Sequence, residues 1–177
     1  MESKFLGRYR LAKTTLFGVI FGLVLSLVLG WSAVISAPAI AQDAILGKMA
    51  YLEQGDERWI EVNLSDRHLT AWEGGAAVFS AEVASGTDDD PTYEGIFAVQ
   101  SLHRIAAMEG KAADGTPYKI DDVPFVLYYD GSYALHGAYW HRDFGAFITH
   151  GCVNVQVEQA EWLYNWAYIG SPVVIHW

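Results

Sequence analysis

From Trp59 to Glu73 apolar and polar residues alternate one by one, first in Trp59-Ile-Glu-Val-Asn-Leu64 and again in His68-Leu-Thr-Ala-Trp-Glu73. A period of two puts every second side chain on one side, which suits an extended strand with one buried face and does not suit a helix. Ser65-Asp66-Arg67 lies between the two runs and Gly74-Gly75 follows them, so the stretch reads as a β-hairpin. Further strands are expected at Ala76 to Ser85, Ile96 to Gln100, Pro124 to Tyr129 and Tyr133 to His136, the last two joined by the turn pair Asp130-Gly131. Short strands at this spacing predict a mainly β domain over residues 58–177, a β-sandwich or barrel-like core. Val157, Ala160, Leu163, Tyr164 and Ala167 then recur at helical spacing, which adds one short helix near the end.

A hydrophobic share of 52% in 177 residues is enough to bury the core of one domain. The first 41 residues have a separate character. Lys4, Arg8, Arg10 and Lys13 precede an apolar run from Leu16 to Ile35, and the small-x-small site Ala39-Ile40-Ala41 follows. This reads as a signal peptide cut after Ala41, or as a membrane anchor, since a run of about 20 apolar residues is also long enough to span a bilayer. In both cases the basic flank stays cytoplasmic and the rest of the chain is extracytoplasmic, in the periplasm or cell wall, with the membrane as a partner only if the segment is retained. Residues 42–57 show no clear periodicity and are expected to form a linker. Beyond Ala41 there are 7 basic and 20 acidic residues, a net charge of −13, and such a surface repels phosphate backbones, so a nucleic-acid partner is not expected.

The stretch from His136 to Asn154 holds the only cysteine and three of the six histidines. A single cysteine forms no internal disulfide, so it does not report the redox compartment. Three readings of Cys152 stand side by side. It is a buried inert thiol; or a nucleophile activated by His136, sixteen residues upstream at the end of a strand; or one of four zinc ligands with His136, His141 and His150. The zinc spacings of 5, 9 and 2 match no common structural zinc pattern. For the nucleophile, Gly151 permits close approach of a ligand, and both a histidine partner and the helix beginning shortly afterwards are expected to lower the thiol pKa. Asn154 stands where it would cap that helix. Asp88-Asp89-Asp90 reads as an exposed acidic turn, and His68, His103 and His176 as ordinary strand or loop residues. Met108 to Asp122, rich in Gly, Ala and Asp, reads as a loop that could cover a site as a lid.

His136-Gly137 followed by Thr149-His150-Gly151-Cys152-Val153-Asn154 resembles the active-site signature of the L,D-transpeptidases with a YkuD-type catalytic domain. The resemblance extends to Ser85-Gly86, to Pro91-Thr92-Tyr93-Glu94-Gly95, to Trp162-Leu163-Tyr164 and to Val173 to Ile175. Tyr93 stands where the family usually has proline, and Thr149 where serine is commoner. What the resemblance implies is a YkuD-like β-sandwich that cross-links peptidoglycan, with stem peptides as donor and acceptor and with no cofactor and no metal. Cys152 would be the nucleophile. His136 would be proton acceptor and donor, oriented through a backbone carbonyl near Gly137. The amides of Gly151 and Cys152 would form the oxyanion hole, and His150, Thr149 and Asn154 would support the site. L,D-carboxypeptidase trimming of stems and a non-catalytic wall-binding module are the alternatives.

Overall fold

The computed structural model describes residues 37–177; the apolar run read as a signal peptide or anchor lies outside the described residues. The first element is a helix, α1 (Ala37–Glu53). Five strands follow: β1 (Arg58–Asn63), β2 (His68–Glu73), β3 (Ala76–Glu82), β4 (Ser85–Gly86) and β5 (Gly95–Ala98). After them come β6 (Ser101–Lys111), β7 (Pro117–Asp130), β8 (Tyr133–Gly137), β9 (Phe147–Thr149) and β10 (Val153–Val155). A second helix, α2 (Val157–Trp166), and β11 (Pro172–His176) complete the domain.

The strands form a five-stranded sheet in the order β3-β2-β1-β11-β5, a four-stranded sheet in the order β10-β8-β7-β6, and the short pair β4-β9. The expected mainly β sandwich is present, and its sheets are open rather than closed into a barrel. Ile60, Val62, Val173 and Ile175 of the first sheet meet Leu127, Leu135, Val153 and Val155 of the second in one core, which Ala160 and Leu163 of α2 join. Period two makes this possible, because it sends alternate residues of β1 and β11 to opposite faces.

The other face of the first sheet is covered as well. Trp59 and Val174 point away from the main core and meet Ile45 and Leu52 of α1 in a second buried cluster. Trp59 stacks on Trp72 with ring centroids 5.5 Å apart, and its indole N–H donates to the Gly74 carbonyl at 3.0 Å. Burial on both faces explains why Pro172–His176 reads as a continuous apolar run rather than an alternation.

Two expectations need correction here. Residues 42–57, expected to be a linker, contribute most of α1, and the helix is docked through Ile45, Met49 and Leu52. These three recur at helical spacing, but Leu46 and Tyr51 on the same helix are exposed, so the contrast between its faces is weak. Met108 to Asp122, expected to be a loop, is the distal half of a long β6–β7 hairpin whose turn is closed by Ala112 and Thr116. Only one side of the arm is covered, and it is no more than half-buried at Ala106, Met108, Tyr118 and Ile120, so the period-two signal it writes is weak.

Docking of α1 makes a specific prediction. Leu52 is 1% exposed, and Leu52→Ala should cost about 2 to 5 kcal/mol of stability in urea unfolding, whereas Leu46→Ala, at a position 51% exposed, should change it by about 0.5 kcal/mol or less.

Candidate active site

The site is built on a parallel pair of strands. β10 runs alongside β8 with Val153 opposite Leu135, Asn154 opposite His136 and Val155 opposite Gly137. Continuing the register sets Cys152 beside Ala134. Side chains alternate along a strand, so Cys152 and Asn154 fall on the same face as His136, while Val153 and Leu135 go to the core. Cys152, His136 and Asn154 accordingly line one cavity of about 250 Å³.

The turn before Cys152 is held by side chains rather than by a ladder. The Thr149 hydroxyl donates to the Cys152 carbonyl at 2.6 Å and accepts from the Gly151 amide at 3.2 Å. Thr92 crosses from another segment, donating to the Gly151 carbonyl at 2.8 Å while accepting from the Gly86 amide at 2.8 Å. Gly151 itself has φ of +103°, and a Cβ there would run into the Tyr133 ring, so both conformation and space demand glycine. One expectation changes with this geometry: the Gly151 amide, a candidate oxyanion donor, is committed to Thr149 in the resting structure.

His136 is 3% exposed, and its Nδ1 donates to the Gly137 carbonyl at 3.1 Å. That bond fixes the proton on Nδ1 and leaves the Nε2 lone pair for proton transfer. Burial holds the ring neutral, lowering its pKa to about 4 against a smaller opposing effect of the Gly137 carbonyl. The Cys152 thiol donates to the Ser132 carbonyl at 3.7 Å. Burial pushes its pKa up to about 11, opposed only in part by the Ala134 amide. The expected lowering of the thiol pKa is therefore reversed. β10 stands between Cys152 and α2, which begins at Val157, so no helix end reaches the sulfur. The resting pair is thiol and neutral imidazole.

Asn154, expected as a helix cap, lies within β10; the N-cap position is Gln156, which makes no side-chain cap bond. The Asn154 amide instead meets His141 Nε2 at 2.9 Å. His150 is exposed and lines the same cavity, with its ring stacked on Tyr118 of the β6–β7 hairpin at 4.3 Å and 6° between planes. Met108, Tyr118 and Ile120 of that hairpin form one wall of the cavity, and Trp140 and His141 form another. The hairpin tip is also held by the acidic turn, where Asp90 accepts from the Ala113 amide at 3.0 Å. Of these, the sequence reading had named His141 only as a zinc ligand and Asp90 only as solvated surface. Among the described residues no group of three or more His, Cys, Asp or Glu side chains is arranged to hold a metal ion.

The two displaced pKa values fix how stability responds to pH. His136 titrates at about 4 in the folded chain against an ordinary 6.5, so the unfolded state takes up the proton first, and stability should fall as pH drops through that window. Cys152 titrates at about 11 against an ordinary 9.0, so stability should fall again as pH rises above 9. Unfolding midpoints measured from pH 4 to 11 should show both limbs; His136→Phe should flatten the acid one and Cys152→Ala the alkaline one.

The model of the L,D-transpeptidase catalytic domain family YkuD matches residues 57–175 of this chain. The L,D-transpeptidase 2 of Mycobacterium tuberculosis (strain CDC 1551 / Oshkosh) is 30% identical over an alignment of 130 residues that covers 68% of this chain and 31% of the mycobacterial protein. This chain thus spans about a third of the length of that relative. The NMR structure of the catalytic domain of the E. faecium L,D-transpeptidase superposes with a TM-score of 0.63 at 26% identity, covering 68% of this chain and 98% of that one. The same E. faecium domain acylated by ertapenem gives a TM-score of 0.61, again at 26% identity and with 68% and 98% covered. With the family model matched from the start of β1 into β11, the chain belongs to the YkuD family of L,D-transpeptidase catalytic domains.

Proposed function

We propose that this protein is an extracytoplasmic L,D-transpeptidase that cross-links peptidoglycan stem peptides through an acyl-enzyme on Cys152. The observation that carries this reading is the placement of Cys152 and His136 on one face of adjacent strands, in one cavity, with Nε2 of His136 free to take a proton. The E. faecium domain acylated by ertapenem supports it from outside, as a relative of the same family that accepts an acyl group.

The chemistry follows from the resting protonation states. The thiol proton moves to His136 Nε2 as sulfur attacks the carbonyl carbon of the third residue of a donor tetrapeptide stem. The C–N bond to the terminal D-alanine breaks, and the imidazolium returns the proton to the leaving amine. An acceptor amine then attacks the thioester, its proton passes to His136, and the C–S bond breaks to give the cross-link and, on return of that proton, the thiol. General base, nucleophile and general acid roles thus fall on two side chains. The thiol pKa of about 11 and the imidazole pKa of about 4 mean that proton transfer accompanies attack, with no standing ion pair beforehand. His150 and Thr149 support the site without touching the reacting atoms, the first by holding the hairpin wall and the second by holding the turn. Export by the N-terminal segment, cut after Ala41 or retained as an anchor, would deliver the domain to its substrate.

Intact mass and peptide mapping test the acyl-enzyme. A carbapenem should leave one adduct on the peptide containing Cys152 and none in Cys152→Ala. With a tetrapeptide muropeptide, release of D-alanine with dimer formation means transpeptidase, and release without dimer means L,D-carboxypeptidase. A folded wild type that gives neither adduct nor D-alanine would leave the wall-binding module as the better account.

His136→Ala should lower the rate of turnover about 10²- to 10⁴-fold, the usual worth of general acid–base catalysis. In the wild type, kcat/KM should hold level through neutral pH and fall only as the pH approaches about 4, where His136 is protonated.

A further inference from the structure

His141 stands in the cavity wall, and both of its ring nitrogens are engaged. Nδ1 accepts from the Asp143 backbone amide at 3.2 Å, and Nε2 stands 2.9 Å from the Asn154 side-chain nitrogen Nδ2. A backbone N–H can only donate, so Nδ1 must carry the lone pair and the single proton of the neutral ring must sit on Nε2. Burial favours that neutral ring. An Nε2–H in turn needs an acceptor. The Asn154 amide offers only one, Oδ1; the opposite orientation would set two donors head to head. The two ends of a side-chain amide exchange by a half-turn, and the network decides between them. That requires a half-turn of the amide from the orientation in which Nδ2 faces His141, which brings Oδ1 to the Nε2–H and leaves the NH₂ group for the cavity.

The position of that NH₂ group gives it a use. Asn154 lies directly opposite His136 on β8 and two residues beyond Cys152 on the same face. Among the described residues, no other group bonds the Asn154 amide. A donor in this place faces the space that an acyl group on Cys152 would occupy. Without the lock, the amide could as readily present Oδ1, which would repel a carbonyl oxygen instead of binding it.

We propose that His141 is a positioning residue for acyl transfer, holding the Asn154 amide through its Nε2–H so that the NH₂ group is presented to the acyl group on Cys152. The proposal rests on the acyltransferase reading given above. The backbone of Asp143 sets the tautomer, His141 transmits it, and Asn154 makes the contact with substrate. Trp140 and Phe144 flank the ring, the latter with centroids 5.0 Å apart, and limit its rotation.

The test uses the full chain and two independent readouts. Nitrogen-15 NMR of the histidine rings should find His141 as the Nε2–H tautomer. The second-order rate of Cys152 acylation by a carbapenem should fall about tenfold in His141→Phe, which keeps the ring but removes both nitrogens. His141→Gln, whose own NH₂ can donate to Oδ1, should recover most of that loss. In an Asn154→Ala background, His141→Phe should cost nothing further. Additive losses from the two positions, no rescue by glutamine, or an Nδ1–H tautomer at His141 would overturn the lock while leaving the acyltransferase reading intact. If the wild type takes no acyl group, the acyltransferase reading falls and the positioning role falls with it, whatever tautomer is found.

Discussion

The parallel pairing of β8 with β10 is the constraint on which the site depends. A shift of one residue in that register would turn Cys152 and Asn154 toward the core and expose Val153 in their place. Register is secured from both sides. Val153 and Val155 bury completely among Leu135, Leu127 and the first sheet, so a slip would bring polar groups into the core. Ahead of the strand, Thr149 and Thr92 pin the turn at Gly151, and Asn154 exchanges backbone bonds with Ala84 at 2.8 and 2.9 Å. Cys152 is thus placed by hydrophobic burial on one face and by hydrogen bonds to hydroxyls on the other.

The same burial that fixes the pair also sets its chemistry. A thiol and an imidazole kept in low dielectric both favour their neutral forms, and their pKa values move apart, to about 11 and about 4. A neutral thiol is a poor target for adventitious oxidants, because oxidation follows thiolate character. In the proposed mechanism reactivity is called up by an acyl donor in place, when the developing oxyanion and the imidazolium offset each other inside the cavity.

Sequence reasoning reached the parts of this structure that bury one face. The Trp59 to Glu73 hairpin, the helix after the motif and the cavity shared by Cys152 and His136 were all legible, since each leaves a period or a distinctive residue type. The β6–β7 arm was missed because the one side it covers is only half-buried and leaves a weak alternation. α1 was missed because its exposed Leu46 and Tyr51 blur the contrast with Ile45 and Leu52. Asn154 was misassigned by proximity: three residues before a helix it resembles a cap, and only the β8–β10 ladder shows that it belongs to a strand. The direction of the thiol shift was misread for a related reason, since sequence order placed a helix near Cys152 while three strand residues separate them in space. His141 left no signal of its own, because its role comes from an Asp143 amide and an Asn154 side chain that only the fold brings together.

The middle of the first sheet is a parallel pair, β1 with β11, in which Ile60 lies opposite Val173. More than a hundred residues separate those partners, and strand closure across such a loop is among the slowest steps in folding. Until β11 has emerged from the ribosome, β1 has only β2 beside it, and Trp59, Ile60 and Val62 have no complete core to enter. A nascent chain of this topology stays open through most of its synthesis. If the N-terminal segment directs export as proposed, that delay keeps the chain open for threading through a narrow translocation pore; in either case the last strand is the one that commits the domain to its native state.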